Sequence, residues 1–342
     1  MKVIESSGSA REIGFVTGEA LRDEIHEHLD MRSPWNEDAW RRRRPAFMET
    51  LERHLPEQLE EMEGTAEGAG VSIDSILQLN VPAYANNLVT EGCTNIVFSD
   101  GPDGPLWGKN NDGMNKSKSL PVCCRIVSRD NLIPVVIFTF AGMISTTDGM
   151  NAAGVAVGHS SVGCVFQQSD RFVPVRLWAY ECMMRSRTTE EFVQLMAGLP
   201  TRGKGYSHVV VDSRGVMCSI EAPCPLLQVR RPEDGVRHMN CTNYYQLPAL
   251  AEADRRKPDG KCNAIERKEF LEQTCSELEN YSLDDMKKIL RHHGDTDICR
   301  HGKGDTFTEY SMIGLPETGQ VLYLDGNPCE SEFEEIQLYE MA

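Results

Sequence analysis

A change of texture at Cys93 constrains this chain more than any other feature. Before it, apolar residues recur at helical spacing among many charges. After it, residues 93–99, 105–110, 121–128, 133–140 and 154–159 are short apolar or β-branched runs parted by Asp-Gly, Asp-Asn and Gly-rich turns. Runs this short and closely spaced predict an antiparallel sheet. Further on, 173–185 and 188–197 read as helices, the second opened by Thr188-Thr189-Glu190-Glu191, and 206–212, 215–221 and 225–230 as strands. Helices over 264–279 and 283–291 and strands over 309–314 and 319–325 complete an α+β pattern.

The segment ahead of Cys93 reads as a leader of helices. Ile13, Val16, Leu21 and Ile25 mark one over 11–30, and a very acidic second covers 45–69. A short capped helix over 71–80 runs into the loop Pro82-Ala83-Tyr84-Ala85-Asn86-Asn87, which presents Gly92-Cys93. The expected division is therefore a helical leader, 1–92, and a body, 93–342.

Charge and cysteine usage narrow the function. A formal net charge of −17 excludes nucleic acid and anionic membrane as partners, because both need a basic face. The run Arg41-Arg42-Arg43-Arg44 reads as the solvated start of the helix after it. No apolar run approaches the ~20 residues that span a bilayer. Met1-Lys2-Val3-Ile4-Glu5-Ser6 lacks the apolar core of a secretion signal, so the twelve cysteines read as reduced thiols of a cytoplasmic protein. With no Cys-x-x-Cys or His-x-x-x-His pair, zinc-ligand spacing is absent and no metal is expected.

Cys93 is the candidate nucleophile, masked until the Gly92–Cys93 bond is cut. A thiol of pKa ~8.5 is only slightly ionised at neutral pH, whereas an α-amine of pKa ~7.7–8.0 can accept its proton. One residue at a new N-terminus thus supplies nucleophile and base, and no histidine is required. His159, His208 and His238 accordingly read as polar core or edge residues, and Glu221 as a polar group near the pocket. Gly92, without a Cβ, lets the scissile peptide adopt a strained conformation. Thr94 and Asn95 follow on alternate faces of the strand and are candidates to shape the site.

Several segments taken in order resemble a family: Gly92-Cys93-Thr94, Gly108-Lys109-Asn110-Asn111-Asp112, Gly149-Met150-Asn151-Ala152-Ala153-Gly154-Val155-Ala156-Val157, Thr242-Asn243-Tyr244 and Ile298-Cys299-Arg300. In the leader, Arg11-Glu12-Ile13-Gly14 and Gly18-Glu19-Ala20-Leu21-Arg22 extend the match. Together they resemble the acyl-coenzyme A:6-aminopenicillanic acid acyltransferases (isopenicillin-N acyltransferases), within the N-terminal nucleophile (Ntn) hydrolases. The resemblance implies a four-layer αββα sandwich and self-cleavage before Cys93. It also implies that Asp112 holds the released amine and that Asn243 donates to the oxyanion, with Asn240 as the other candidate for that donor.

In the stretch 304–309 the penicillin-forming enzymes carry an arginine suited to a substrate carboxylate, and this chain does not. Asp305 or Glu309 there would instead favour an amine. The expected activity is that of an autoprocessed cysteine amidohydrolase, acting on a small amide through a thioester acyl-enzyme. An acyltransferase moving an acyl group from coenzyme A or an amide to an amine is the alternative, and a catalytically silent binding relative a third reading. No cofactor is expected beyond coenzyme A as acyl carrier of a substrate. The expected partners are a small amide or thioester and the chain's own cleaved leader, with homo-oligomerisation left open.

Overall fold

The computed structural model describes residues 1–32, 37–80, 92–114, 120–166, 169–203, 205–255, 263–302 and 306–338. The leader contains β1 (Lys2–Gly8), α1 (Ala10–Ala20), α2 (Arg22–Arg32), α3 (Glu37–His54), α4 (Pro56–Ala69) and α5 (Ile73–Asn80). The loop expected over 82–87 lies outside the described residues.

The body opens with β2 (Thr94–Phe98), β3 (Leu106–Met114), β4 (Val122–Arg129), β5 (Val135–Phe140), β6 (Asp148–Asn151) and β7 (Ala156–Ser161). Next come β8 (Val173–Pro174), α6 (Val175–Arg185), α7 (Thr189–Met196), β9 (Thr201–Arg202), β10 (Tyr206–Val211), β11 (Met217–Ala222), β12 (Gln228–Arg230) and β13 (His238–Cys241). It closes with α8 (Ala264–Ser276), α9 (Leu283–Leu290), β14 (Thr306–Leu315), β15 (Gln320–Asp325) and β16 (Glu334–Gln337).

Side-chain alternation along β2 sets the layers. Ile96 and Phe98 point to one face, where they pack with Leu271, Cys275, Met286 and Ile289 of α8 and α9. Val97 points to the other, into a core shared by Trp107 and Met312 of its own sheet and Val136, Phe138 and Val209 of the second sheet. Val135 and Ile137, one residue out of phase on β5, face α6 and α7 through Tyr180, Met183 and Phe192. Three apolar interfaces between four layers make an αββα sandwich. Each fully buried aliphatic or aromatic side chain in them stabilises by about 1.5–3 kcal/mol.

Apart from the small parallel pair β8-β9, the strands form two large sheets, β1-β4-β5-β6-β7-β10-β11-β12 and β13-β2-β3-β14-β15-β16. Both are antiparallel except that β1 lies parallel to β4, from Lys2 opposite Cys123 to Gly8 opposite Arg129. That strand corrects the expectation of a wholly helical leader. It buries Ile4 and Ser6 alone in its middle, so it carries no apolar alternation, and its pairing partner lies more than a hundred residues away.

Two leader helices were also expected to be longer. Leu21 ends α1 where a single helix over 11–30 was read, and Pro56 begins α4 inside the expected 45–69 helix. Proline has no N–H to donate and suits the first turn of a helix, which explains the break. The arginine run is not simply solvated: Arg43 pairs with Asp170 and Arg44 with Asp74.

The leader is built into the body. Glycines on facing turns of α1 and α4 bring the helix backbones together, and a Cβ on Gly14 would lie 2.0 Å from the Glu61 carbonyl oxygen. Arg125 of β4 pairs with the buried Glu61 of α4, Gln58 donates to the Leu177 carbonyl, and Asn80 donates to the Gly142 carbonyl. Among the described residues no helix is long and apolar enough to cross a membrane.

Candidate active site

Gly92 and Cys93 precede β2 in conformations that L-residues resist. Gly92 has φ +132° and Cys93 φ +64°. A Cβ on Gly92 would come within 2.6 Å of Asp112 Cβ, so the close approach to β3 requires glycine. For cysteine, the left-handed region stores roughly 1–3 kcal/mol, held by the surrounding contacts. The strain lies at the bond expected to be cut.

β3 holds the N–H and thiol of Cys93, while α8 and β7 hold its carbonyl. Its N–H donates to Asp112 Oδ2 at 3.1 Å, its Sγ lies 3.4 Å from Asn111 Oδ1, and its carbonyl accepts from Arg267 Nη1 at 2.6 Å and from Ser160 Oγ at 3.4 Å. Asp112 is fixed in turn by Thr308 Oγ1, which donates to its other oxygen at 2.8 Å and accepts from Arg300 N at 2.9 Å. A register shift between Thr308 and Tyr310 on β14 lets consecutive residues address consecutive partners on β3. Thr308 reaches Asp112, and Glu309 accepts from Asn111 Nδ2 at 3.0 Å.

Asn243 and Asn240 take different places. Asn243 accepts from Arg267 Nη2 at 2.8 Å and donates to the Ser161 carbonyl at 3.0 Å, which orients its amide beside the residues that hold Cys93. Asn240 donates to Glu272 at 2.6 Å and accepts from Gln246 at 3.0 Å, so its side chain is engaged elsewhere. Thr94 accepts from Arg267 at 3.0 Å on the helix side. Asn95 points between the sheets and donates to the His159 carbonyl and Ser160 Oγ. Glu221 accepts from Leu247 N and Arg230, tying a loop. Asp305 lies outside the described residues.

Arg267 was not among the candidates from sequence, and Lys109 and Arg300, although inside the matched segments, had no role assigned there. Arg267 stands on the buried stripe of α8 with Ala264, Leu271 and Cys275, and an arginine on such a stripe was the available signal. Lys109 is fully buried, 2.6 Å from Asp148, which also accepts from His159 at 3.0 Å. Burial pushes His159 down to about 4, so its imidazole is neutral and polar core in character. Burial alone would raise Asp148, but His159 and Lys109 hold its carboxyl well below the usual range.

At the thiol, burial raises the Cys93 pKa and Lys109 opposes it. Burial also raises Asp112, against the pull of Arg300 and Arg267. Glu309 is pushed up to about 7, first by burial and then by the charge of Asp112. A carboxyl raised on folding contributes stability that is complete below its ordinary pKa of ~4.3 and is lost as pH rises through the folded value. Thermal melts between about pH 5 and pH 8 should therefore fall with pH more steeply for wild type than for Glu309→Gln. Parallel curves for the two proteins would remove Glu309 as the titrating group.

One group of side chains with metal-ligating atoms stands apart from Cys93. His293, Cys299, His301 and Cys329 come together with ligand atoms within 4.8 Å of one another. Cys329 is supplied from a different segment than the other three, so local spacing could not show the group. The site at Cys93 is separate from the surface hollow of about 460 Å³ beside Leu132, Pro134 and Arg187, which none of its residues lines.

No family model and no curated protein matches the sequence. Among solved structures, penicillin V acylase from Agrobacterium tumefaciens is similar with TM-score 0.51 at 15% identity, over 72% of this chain and 86% of that one. A Caenorhabditis elegans N-acylethanolamine-hydrolyzing acid amidase ortholog aligns with TM-score 0.49 at 16% identity, over 66% of this chain and 93% of that one. A mutant of conjugated bile acid hydrolase from Clostridium perfringens gives 0.48 at 13%, over 72% and 97%. The first of these supports the architecture derived above, and at such identity a likeness speaks to fold alone: the chain has the αββα fold of the Ntn hydrolases.

Proposed function

We propose that this chain is a self-processing cysteine amidohydrolase of the Ntn type. The observation that carries the reading is the Cys93 N–H donated to Asp112 Oδ2 beside a strained Gly92-Cys93 pair. In the uncut chain the Cys93 thiol attacks the Gly92 carbonyl carbon, the Gly92–Cys93 C–N bond breaks, and a thioester forms. Water then hydrolyses that thioester, leaving a carboxylate on Gly92 and a free amine and thiol on Cys93.

In the mature enzyme the Cys93 amine, held by Asp112, takes the thiol proton, and the sulfur attacks the substrate carbonyl. Asn243, oriented by Arg267 and Ser161, donates to the oxyanion, and such a donor is worth ~3–4 kcal/mol of barrier. The proton passes to the leaving amine, a thioester acyl-enzyme remains, and water releases the acid. The same acyl-enzyme met by an amine would give acyl transfer, with coenzyme A entering as the leaving group of a thioester substrate. The chain's own groups complete this sequence without a cofactor.

Glu309, one side chain behind the thiol through Asn111, and Asp305 favour a substrate whose amine portion is neutral or cationic. A panel of amides and acyl-coenzyme A esters, with amine and thiol release followed, tests both activity and acceptor. Within it, matched amides bearing ammonium or carboxylate at the amine side should differ about tenfold in kcat/KM in favour of ammonium, roughly 1.4 kcal/mol. The preference should shrink in Asp305→Asn or Glu309→Gln. A carboxylate preference unchanged by both substitutions would reject this substrate class, and no turnover of any member would reject the enzyme reading.

A further inference from the structure

We propose that His293, Cys299, His301 and Cys329 form a closed four-coordinate zinc site that clamps the segment carrying Arg300. Two of the distances lie near those of a ligand shell, the His301–Cys329 one is shorter, and all four ligand atoms fall within 4.8 Å of one another. Cys299 Sγ lies 3.6 Å from Cys329 Sγ and 3.6 Å from His301 Nε2, and His301 Nε2 lies 3.1 Å from Cys329 Sγ. A tetrahedron with Zn–S bonds of about 2.3 Å and Zn–N bonds of about 2.0–2.1 Å has S–S edges of about 3.8 Å and S–N edges of about 3.6 Å. His293 completes the set, its ring centroid 4.9 Å from that of His301. Two thiolates and two imidazoles suit zinc, whereas magnesium and calcium prefer oxygen.

The surroundings are those of a ligand shell too. His301 meets the shell through Nε2 while its Nδ1 lies 3.4 Å from Glu330, the carboxylate partner that fixes the tautomer of a metal-bound histidine. Asn327 donates to Cys299 Sγ at 3.4 Å and to the Arg300 carbonyl at 2.8 Å. A disulfide would need the two sulfurs at about 2.05 Å, and they stand 3.6 Å apart with an imidazole nitrogen against one of them.

The site has a reason to exist. From His292 to Gly302 the chain is irregular apart from a single bridge between His301 and Phe307, and Cys329 sits in the turn after β15. Joining the two fixes a segment that has little ladder of its own. That segment carries Arg300, whose N–H donates to Thr308 and whose charge acts on Asp112. With four protein ligands no position is left for substrate, so the metal is structural.

The full-length protein, purified under reducing conditions, should carry about one zinc per chain by elemental analysis. Cobalt substituted for it should show the thiolate charge-transfer and tetrahedral ligand-field bands. Competition with a colorimetric chelator should find affinity lowered at least about 100-fold in Cys329→Ser and about tenfold in Glu330→Gln. Cys329 is exposed, so its replacement leaves the core untouched, and unchanged melting of the chelated proteins checks the fold. Absence of zinc binding by the reduced wild type, an affinity indifferent to Cys329→Ser, or a Cys299–Cys329 disulfide in the protein as isolated would each overturn the proposal. None of these readouts depends on the activity proposed for Cys93.

Discussion

Weighed under denaturing conditions, the purified protein should resolve into two pieces, 1–92 and 93–342, while Cys93→Ala remains a single chain without activity. Both residues flanking the scissile bond have positive φ, and the Cys93 carbonyl is pinned by Arg267. Hydrolysis at Gly92 releases that strain and converts the amide N–H already facing Asp112 into an amine facing the same carboxylate. Cys93→Ala removes the nucleophile of both reactions, and loss of a nucleophile of this kind lowers kcat by about six orders of magnitude.

Gly92→Ala separates strain from chemistry. Its Cβ would meet Asp112, so cleavage should slow although the thiol is intact. Under native conditions the pieces should elute together, because β1 is a strand of the body's sheet and the Glu61–Arg125 pair is buried between them. A wild-type chain that stays uncut and fully active would sink the free-amine mechanism.

What the sequence disclosed, and what it withheld, follows from the range of the interactions involved. The helices 189–196 and 283–290 were legible because each carries its own periodicity, and Thr188 and Ser282 cap them through their own neighbours, whereas 175–185, buried along most of its length, shows as a largely apolar run too long for a strand. Cys93 and Asp112 could be associated because β2 and β3 form one hairpin. By contrast, β13 reads His-Met-Asn-Cys and is a strand through its pairing with β2, more than a hundred residues away. Arg267 reaches Cys93 once α8 has docked, and the bulge that turns both Thr308 and Glu309 toward β3 has no local marker. The four-ligand group escaped for the same reason, its ligands being divided between the segment after α9 and the turn after β15.

Asp112→Asn and Asn243→Ala should each lower kcat by about two to three orders of magnitude in a folded protein, with Asn240→Ala as the control that does not. The Asp112→Asn side chain can still accept from Cys93 N and keep its contact with Thr308, so the geometry survives while the charge is lost. That charge stabilises the Cys93 ammonium formed when the amine takes the thiol proton. Without it the amine pKa falls, and the acid limb of the kcat/KM profile should move to lower pH as the maximum drops. A merely structural role would lower the maximum and leave the limb in place.

Asn243→Ala removes the oxyanion donor and also leaves Arg267 and the Ser161 carbonyl each short of one partner, which costs about 1–3 kcal/mol of stability, so melting must be measured beside activity. Asn240→Ala gives up its bonds to Glu272 and Gln246, away from the thiol, and should leave kcat within about threefold. If Asn240→Ala proves the damaging change and Asn243→Ala is silent, the oxyanion is held on the Glu272 side of β13 and the assignment of Asn243 is wrong.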